Sequence, residues 1–176
     1  MSKTAYKWSV ALLFLLGTTL LLKLYALYVP YGIRIVYTDS IPTGIYASEV
    51  YSGGALQRDQ GVCFHPEPKG WLAERHYFES SESICKYALG LPGDVVRPIG
   101  TEIFICHANK CNSAGHVMAA DRQGRPSVPA FTAETAIPAG HYYLGSTYNP
   151  RSLDSRYLGL VRAEQVAVRT WPLLTF

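Results

Sequence analysis

The sequence contains no C-x2-C pair, no G-x-S-x-G turn, no internal repeat and no low-complexity segment. The first absence argues against zinc ribbons and fingers, which need closely paired thiolates. The second leaves His65, His76, His107, His116 and His141 outside any recognisable serine–histidine signature. The third and fourth exclude solenoid arrays and biased, unfolded tracts. Charge is also sparse and balanced. Lys and Arg number 16 against 13 Asp and Glu, a net +3 that is too mild and too scattered for a nucleic-acid surface. Nothing in the pattern asks for a cofactor. The one metal reading is a zinc site on Cys106, Cys111 and His116, spaced x4 and x4, and it lacks the usual cysteine pair.

What is present suits a folded domain of ordinary size with a tail. The chain has 176 residues, 48% of them apolar, which is too rich for disorder. Four cysteines, at 63, 85, 106 and 111, are an even count that fits two disulfides in an exported domain. Cys106 and Cys111 flank a four-residue turn and are predicted to bridge it. Cys63 and Cys85 remain as the second pair, in strands whose pairing is not read from sequence.

Trp8 to Val29 is almost wholly apolar or small, with Lys23 as its one charge. As a helix these residues would span roughly 33 Å, about the thickness of a hydrocarbon core. Lys23 lies near the far end, where it can snorkel. Trp8, Tyr25, Tyr28 and Tyr31 stand at interfacial positions, and Lys3 and Lys7 favour an inside N-terminus. The division expected is a cytoplasmic N-terminus over 1–7, a single anchor over 8–29 and an exported domain over 30–176. A cleaved signal peptide with its core at Val10 to Leu22 is the rival, but no small-x-small site follows that core promptly. With a retained anchor, only ten residues separate Val29 from Asp39, which puts Ser40 close to the bilayer.

Beyond Pro30-Tyr31-Gly32 the chain reads as many short strands with turns about every ten residues, an all-β sandwich or barrel-like domain. Strands are expected at 33–37, 45–50, 60–65, 84–89, 95–98 and 139–145, and at 157–161 and 166–171. A hairpin is expected around His107-Ala108-Asn109-Lys110. Residues 69–80 suggest one short helix, 112–130 a polar surface excursion and 146–156 a polar loop.

Two side chains stand out. Ser40 sits in the turn Tyr37-Thr38-Asp39-Ser40-Ile41-Pro42-Thr43-Gly44, between two apolar runs, where it can be presented at a sheet edge with its amide free. Lys86 interrupts the apolar run Ile84-Cys85-Lys86-Tyr87-Ala88-Leu89. In an alternating strand it could simply face water. Buried, it would be disfavoured as an ammonium, and a neutral amine can accept the proton of a serine hydroxyl. Further on, Asp154 and Arg156 can pair locally. That pair contributes little if exposed but braces the loop if buried, leaving Ser152 free to hydrogen-bond Lys86.

These segments, in this order, resemble type I signal peptidases. That family carries an anchor, a serine box, a K-x-x-x-G-L-P-G-D type box and an S-x-D-S-R-x-x-G box. Here they stand as Ser40-Ile41-Pro42-Thr43-Gly44-Ile45-Tyr46, as Lys86-Tyr87-Ala88-Leu89-Gly90-Leu91-Pro92-Gly93-Asp94 and as Ser152-Leu153-Asp154-Ser155-Arg156-Tyr157-Leu158-Gly159. The resemblance covers residues 8 to about 170. Where the family has G-D-N, this chain has Gly145-Ser146-Thr147, so the acidic residue is absent. The S-x-P-x-G-x-Y form of the serine box and the lack of a large insert look like the TraF-type branch. Its members serve plasmid conjugation and mature pilin subunits, in some cases joining their ends into a ring.

The resemblance implies a mainly β, signal-peptidase-like domain behind one N-terminal transmembrane helix. It implies a serine endopeptidase with Ser40 as nucleophile and Lys86 as general base. The Ser40 amide and the Thr38 hydroxyl would donate to the oxyanion. Ser152 would orient Lys86, Asp154 and Arg156 would brace the loop, and Ile41 and Pro42 would bind substrate. It needs no metal or cofactor. The partners implied are a membrane-inserted precursor, in the conjugative case a pilin, and the lipid bilayer. The location implied is the inner membrane, single-pass, with the catalytic domain in the periplasm. A non-catalytic exported β-domain acting in pilus or conjugation assembly is the alternative, and whether Ser40 and Lys86 meet in space separates the two.

Overall fold

A computed structural model describes residues 3–28, 30–78 and 83–176, with the side chains of 3–6 and 26–28 left undescribed. Val29, the expected end of the anchor, and residues 79–80 of the expected helix lie outside the described residues. The chain forms two units, residues 1–32 and 33–176. The first is α1 (Lys3–Tyr28), a 26-residue helix. Pro30 stands after it and cannot continue a helical ladder. From Lys7 to Tyr25 the helix is long and apolar enough to cross a membrane, and its described apolar side chains stay exposed. A helix apolar all round belongs in lipid or in a protein core, so α1 fits a single-pass membrane anchor.

The second unit is β-rich. Its strands are β1 (Tyr31–Val36, which begins at the end of the first unit), β2 (Gly44–Val50), β3 (Gly61–Phe64), β4 (Ile84–Gly90), β5 (Val95–Ile99), β6 (Glu102–His107), β7 (Lys110–His116), β8 (Thr135–Ala136), β9 (His141–Gly145), β10 (Val161–Arg162) and β11 (Val166–Thr175). Among the described residues, three short helical turns interrupt them: α2 (Trp71–Glu74), α3 (Ser155–Leu158) and a 3-10 turn (Ala163–Gln165). Seven strands form one sheet in the order β1-β2-β11-β3-β4-β9-β10, and four form a second in the order β7-β6-β5-β8.

Register follows from the side-chain period of two along each strand. In β3, Val62 and Phe64 face one core cluster with Ile84, Ala88, Tyr142 and Leu144. Cys63 faces the opposite side with Cys85, Ile41, Tyr46 and Val168. A third cluster, around Val96, Ile103, Ile105, Phe131 and Tyr143, fills the smaller sheet. Lys86 pairs with Val62, and Cys63 with Cys85. The two disulfides are Cys63–Cys85 and Cys106–Cys111, each with Cα atoms 4.0 Å apart.

Three expectations change. Tyr157 to Val161 is not one strand, because Asp154 caps a helical turn over Ser155–Leu158 and only β10 follows as strand. The excursion over 112–130 is structured at both ends. β7 runs to His116, and Ala120 bridges Pro126 to close a small hairpin. The helix expected over 69–80 is a single turn among the described residues.

Candidate active site

Ser40 lies in the turn between β1 and β2, and the turn is held by three hydrogen bonds. The Tyr46 hydroxyl donates to the Pro42 carbonyl at 2.6 Å, the Thr43 hydroxyl donates to the Phe176 carbonyl at 2.6 Å, and the Phe176 amide donates to the Thr43 carbonyl at 3.0 Å. Gly44 is needed for close approach, since a Cβ there would collide with the Leu174 carbonyl and the Thr175 backbone of β11. Burial raises the Tyr46 phenol above its ordinary range, with a further push from Tyr87, so it stays a donor. None of these braces is visible in the turn alone, because β11 arrives from more than a hundred residues away.

Lys86 reaches the same point from β4. On its face of the sheet it lies between Ile84 and Ala88 and opposite Val62, all buried. It is itself only 2% exposed, so it does not face water. Its Nζ stands 2.5 Å from the Ser40 Oγ, within hydrogen-bond distance. Among the described residues, the Ser40 amide forms no hydrogen bond.

Both groups open onto a cleft of ≈ 530 Å³ that Thr38, Ile84 and Ser152 also line. Ser152 is buried, yet its hydroxyl has no hydrogen-bond partner among the described residues. The expected Ser152–Lys86 bond is therefore not made. The Ser152 backbone is engaged instead, its amide donating to Asn149 and its carbonyl accepting from Arg156.

Asp154 and Arg156 are both fully buried. The guanidinium donates to both carboxylate oxygens at 2.9 Å, to the His116 carbonyl at 2.7 Å and to the Pro150 and Ser152 carbonyls at 3.0 Å. Asp154 also accepts from the Ser146 and Arg156 amides. Burial opposes the charge on Arg156, and the hydrogen bonds and charge of Asp154 outweigh it, so its pKa is raised further. This pair does not line the cleft. It ties the 146–156 loop to the end of β7.

Ile41 and Pro42 are placed differently from the expectation. The Ile41 side chain is 0% exposed, inside the Cys63–Cys85 cluster, and cannot touch a ligand. Pro42 is half-buried, and neither residue lines the cleft. The far wall is instead built by the 119–127 hairpin, with Asp121, Arg122, Gln123 and Arg125, and by Arg151. Sequence reading missed this wall because polar residues between a Gly and a Pro carry the same signal as any surface loop.

No cluster of His, Cys, Asp or Glu able to hold a metal ion exists among the described residues, and Cys106 and Cys111 are joined to each other, which overturns the zinc reading on these two cysteines.

No curated protein sequence matches the chain. Among solved structures it is similar to a signal peptidase I from Enterococcus faecalis V583. Identity is 21%, the coverage is 65% of this chain and 96% of that chain, and the TM-score is 0.37. The profile of the family described as signal peptidase, peptidase S26, matches residues 6–172, through the helix, the serine turn, β4 and the buried ion pair. That span is nearly the whole chain, and the protein therefore belongs to the signal peptidase family, a family of serine peptidases.

Proposed function

We propose that this is a membrane-anchored endopeptidase in which Ser40 is the nucleophile and Lys86 the general base. The observation that carries the reading is the 2.5 Å approach of Lys86 Nζ to Ser40 Oγ at a lysine that is 2% exposed. Burial among apolar side chains penalises the ammonium, so a neutral amine can take the Ser40 proton as Oγ attacks a peptide carbonyl. The Ser40 amide and the Thr38 hydroxyl donate to the developing oxyanion. The ammonium then returns its proton to the leaving amine, and the unpartnered Ser152 hydroxyl accepts from that ammonium while it is charged. Water, or an amine of the substrate itself, resolves the acyl-enzyme. Asp154 and Arg156 keep Ser152 in place.

The substrate in this reading is a membrane-inserted precursor, with a conjugative pilin subunit as the specific case and cyclisation as a possible outcome of amine attack. The domain works on the periplasmic face of the inner membrane. Exposed Ile33 and Ile35 on β1, and Trp171 and Leu173 on β11, support a bilayer-facing surface on the β unit. The test is co-expression with the precursor and mass measurement of the product. Ser40→Ala should leave the precursor intact, and a Ser40→Ala protein that matures it at the wild-type rate would overturn the reading.

A further inference from the structure

The cleft beside Ser40 has one strongly charged wall. Among its lining residues, Asp121 is the single acid, against Arg122, Arg125 and Arg151. Asp121 has no charge left to offer. Its carboxylate accepts from Arg125 Nε at 2.7 Å, from Arg75 at 3.3 Å and from the Tyr77 hydroxyl. Arg122 and Arg151 form no ion pair among the described residues, and both are exposed.

These arginines do not hang on loose chain. The turn over 121–125 is closed by Asp121 Oδ1, which accepts from the Gln123 amide at 2.8 Å and the Arg125 amide at 2.9 Å. Arg75 donates to the Pro126 carbonyl at 2.9 Å and packs 4.6 Å from the Trp71 ring centre. Arg151 is set by its amide, which donates to the Asn149 side chain at 2.8 Å, next to Ser152 on the rim. The backbone that carries Arg122 and Arg151 is therefore fixed in the wall of the cleft that Ser40 and Lys86 also line. Positive charge held in a concave wall focuses an attractive field on whatever enters it.

We infer that the cleft selects a polypeptide substrate carrying acidic side chains next to the segment that lies across Ser40, with Arg122 and Arg151 as specificity-determining residues. This rests on the reading that the cleft binds a polypeptide for cleavage, and it adds the chemical class of that polypeptide. An extended chain passing Ser40 runs along the 119–127 hairpin. Aspartate or glutamate there meets two unpaired guanidinium groups, whereas lysine there meets only like charge.

Binding to the full-length Ser40→Ala protein in neutral detergent separates this inference from the catalytic proposal. Three labelled decapeptides are compared by fluorescence anisotropy, matched except that three central positions carry Asp, Asn or Lys. The Asp peptide is expected to bind about tenfold tighter than the Asn peptide, roughly 1.4 kcal/mol. The Lys peptide should bind weakest, and the spread should shrink as salt is raised. The double variant R122E/R151E should lose the Asp advantage while unfolding at the parent temperature. Equal affinities in the parent, or an Asp advantage kept by the double variant, would overturn the inference. So would a pair that discriminates nothing among the peptides but responds to phosphatidylglycerol added to the micelles, since that would assign the arginines to lipid headgroups. Cleavage by the Ser40 protein is read separately, so inactivity toward these peptides would bear on the catalytic proposal and not on the charge preference.

Discussion

At the scale of single residues, the proposed mechanism separates groups that act from groups that hold. Lys86 stood out as a candidate because a lysine inside an apolar run is unusual, and its 2% exposure removes the water-facing reading. Ile41 was not legible, because a residue next to a serine can point into either face of a turn, and here it fills the core. Lys86→Arg is expected to abolish precursor maturation, since a guanidinium stays protonated and cannot act as base. Product mass after co-expression reads the loss, and maturation at the wild-type rate would refute a lysine base. Arg156 is the opposite kind of residue. Arg156→Met would leave the Asp154 carboxylate buried and unpaired beside orphaned carbonyls of Pro150 and Ser152. Removing one partner of such a pair costs about 3–5 kcal/mol. Denaturant unfolding of detergent-solubilised protein should show a loss of that order, and a change under about 1 kcal/mol would mean the loop is held by its backbone alone.

At the scale of elements, strand identity was readable where alternation was clean and partner choice was not. The β4 run predicted a strand. Nothing in it announced β3 and β9 as neighbours, because pairing between distant strands depends on the closure of the whole sheet. The same limit hid β11, whose far end braces the serine turn through Thr43 and Gly44. The Asp154 cap explains the misread 157–161 segment, since an apolar run too short to show a period can be helix or strand. The disulfides act at this scale too. Cys63–Cys85 closes a sequence separation of 22 and Cys106–Cys111 one of 5. On loop-closure entropy the first contributes about 3 kcal/mol and the second about 2. Cys63→Ala/Cys85→Ala should therefore lower the unfolding midpoint more than Cys106→Ala/Cys111→Ala. It should also cost activity, because Cys85 directly precedes Lys86 in β4. Equal shifts, with activity unchanged in both, would show that the sheet holds Lys86 without the cross-strand bond.

At the scale of the whole molecule, stability and activity should respond to pH in different windows. Burial raises the phenols of Tyr87 and Tyr157, and raises Tyr143 strongly. Tyr51 is pushed up to about 12 by burial and by its hydrogen bond with Tyr142. A raised phenol favours the neutral form in the fold. Each contribution is whole below the ordinary value of 10.0 and is lost as pH climbs above it, for Tyr51 through about 12. On the acid side, burial works against the Asp121 carboxylate, and hydrogen bonds from Tyr77, Arg125 and Gln123 outweigh it, so its pKa is lowered from 3.8. That contribution is present above 3.8 and is lost as pH falls below it. Thermal midpoints should thus form a plateau that ends near pH 4 and near pH 10, by the ordinary carboxylate and phenol values. Tyr51→Phe should flatten the alkaline limb, because it removes one titrating phenol. If Lys86 is the base, as proposed, maturation activity should fall on the acid side while the plateau still holds, because a protonated amine cannot accept the Ser40 proton. Activity that declines only in step with unfolding would place the essential proton elsewhere than on Lys86.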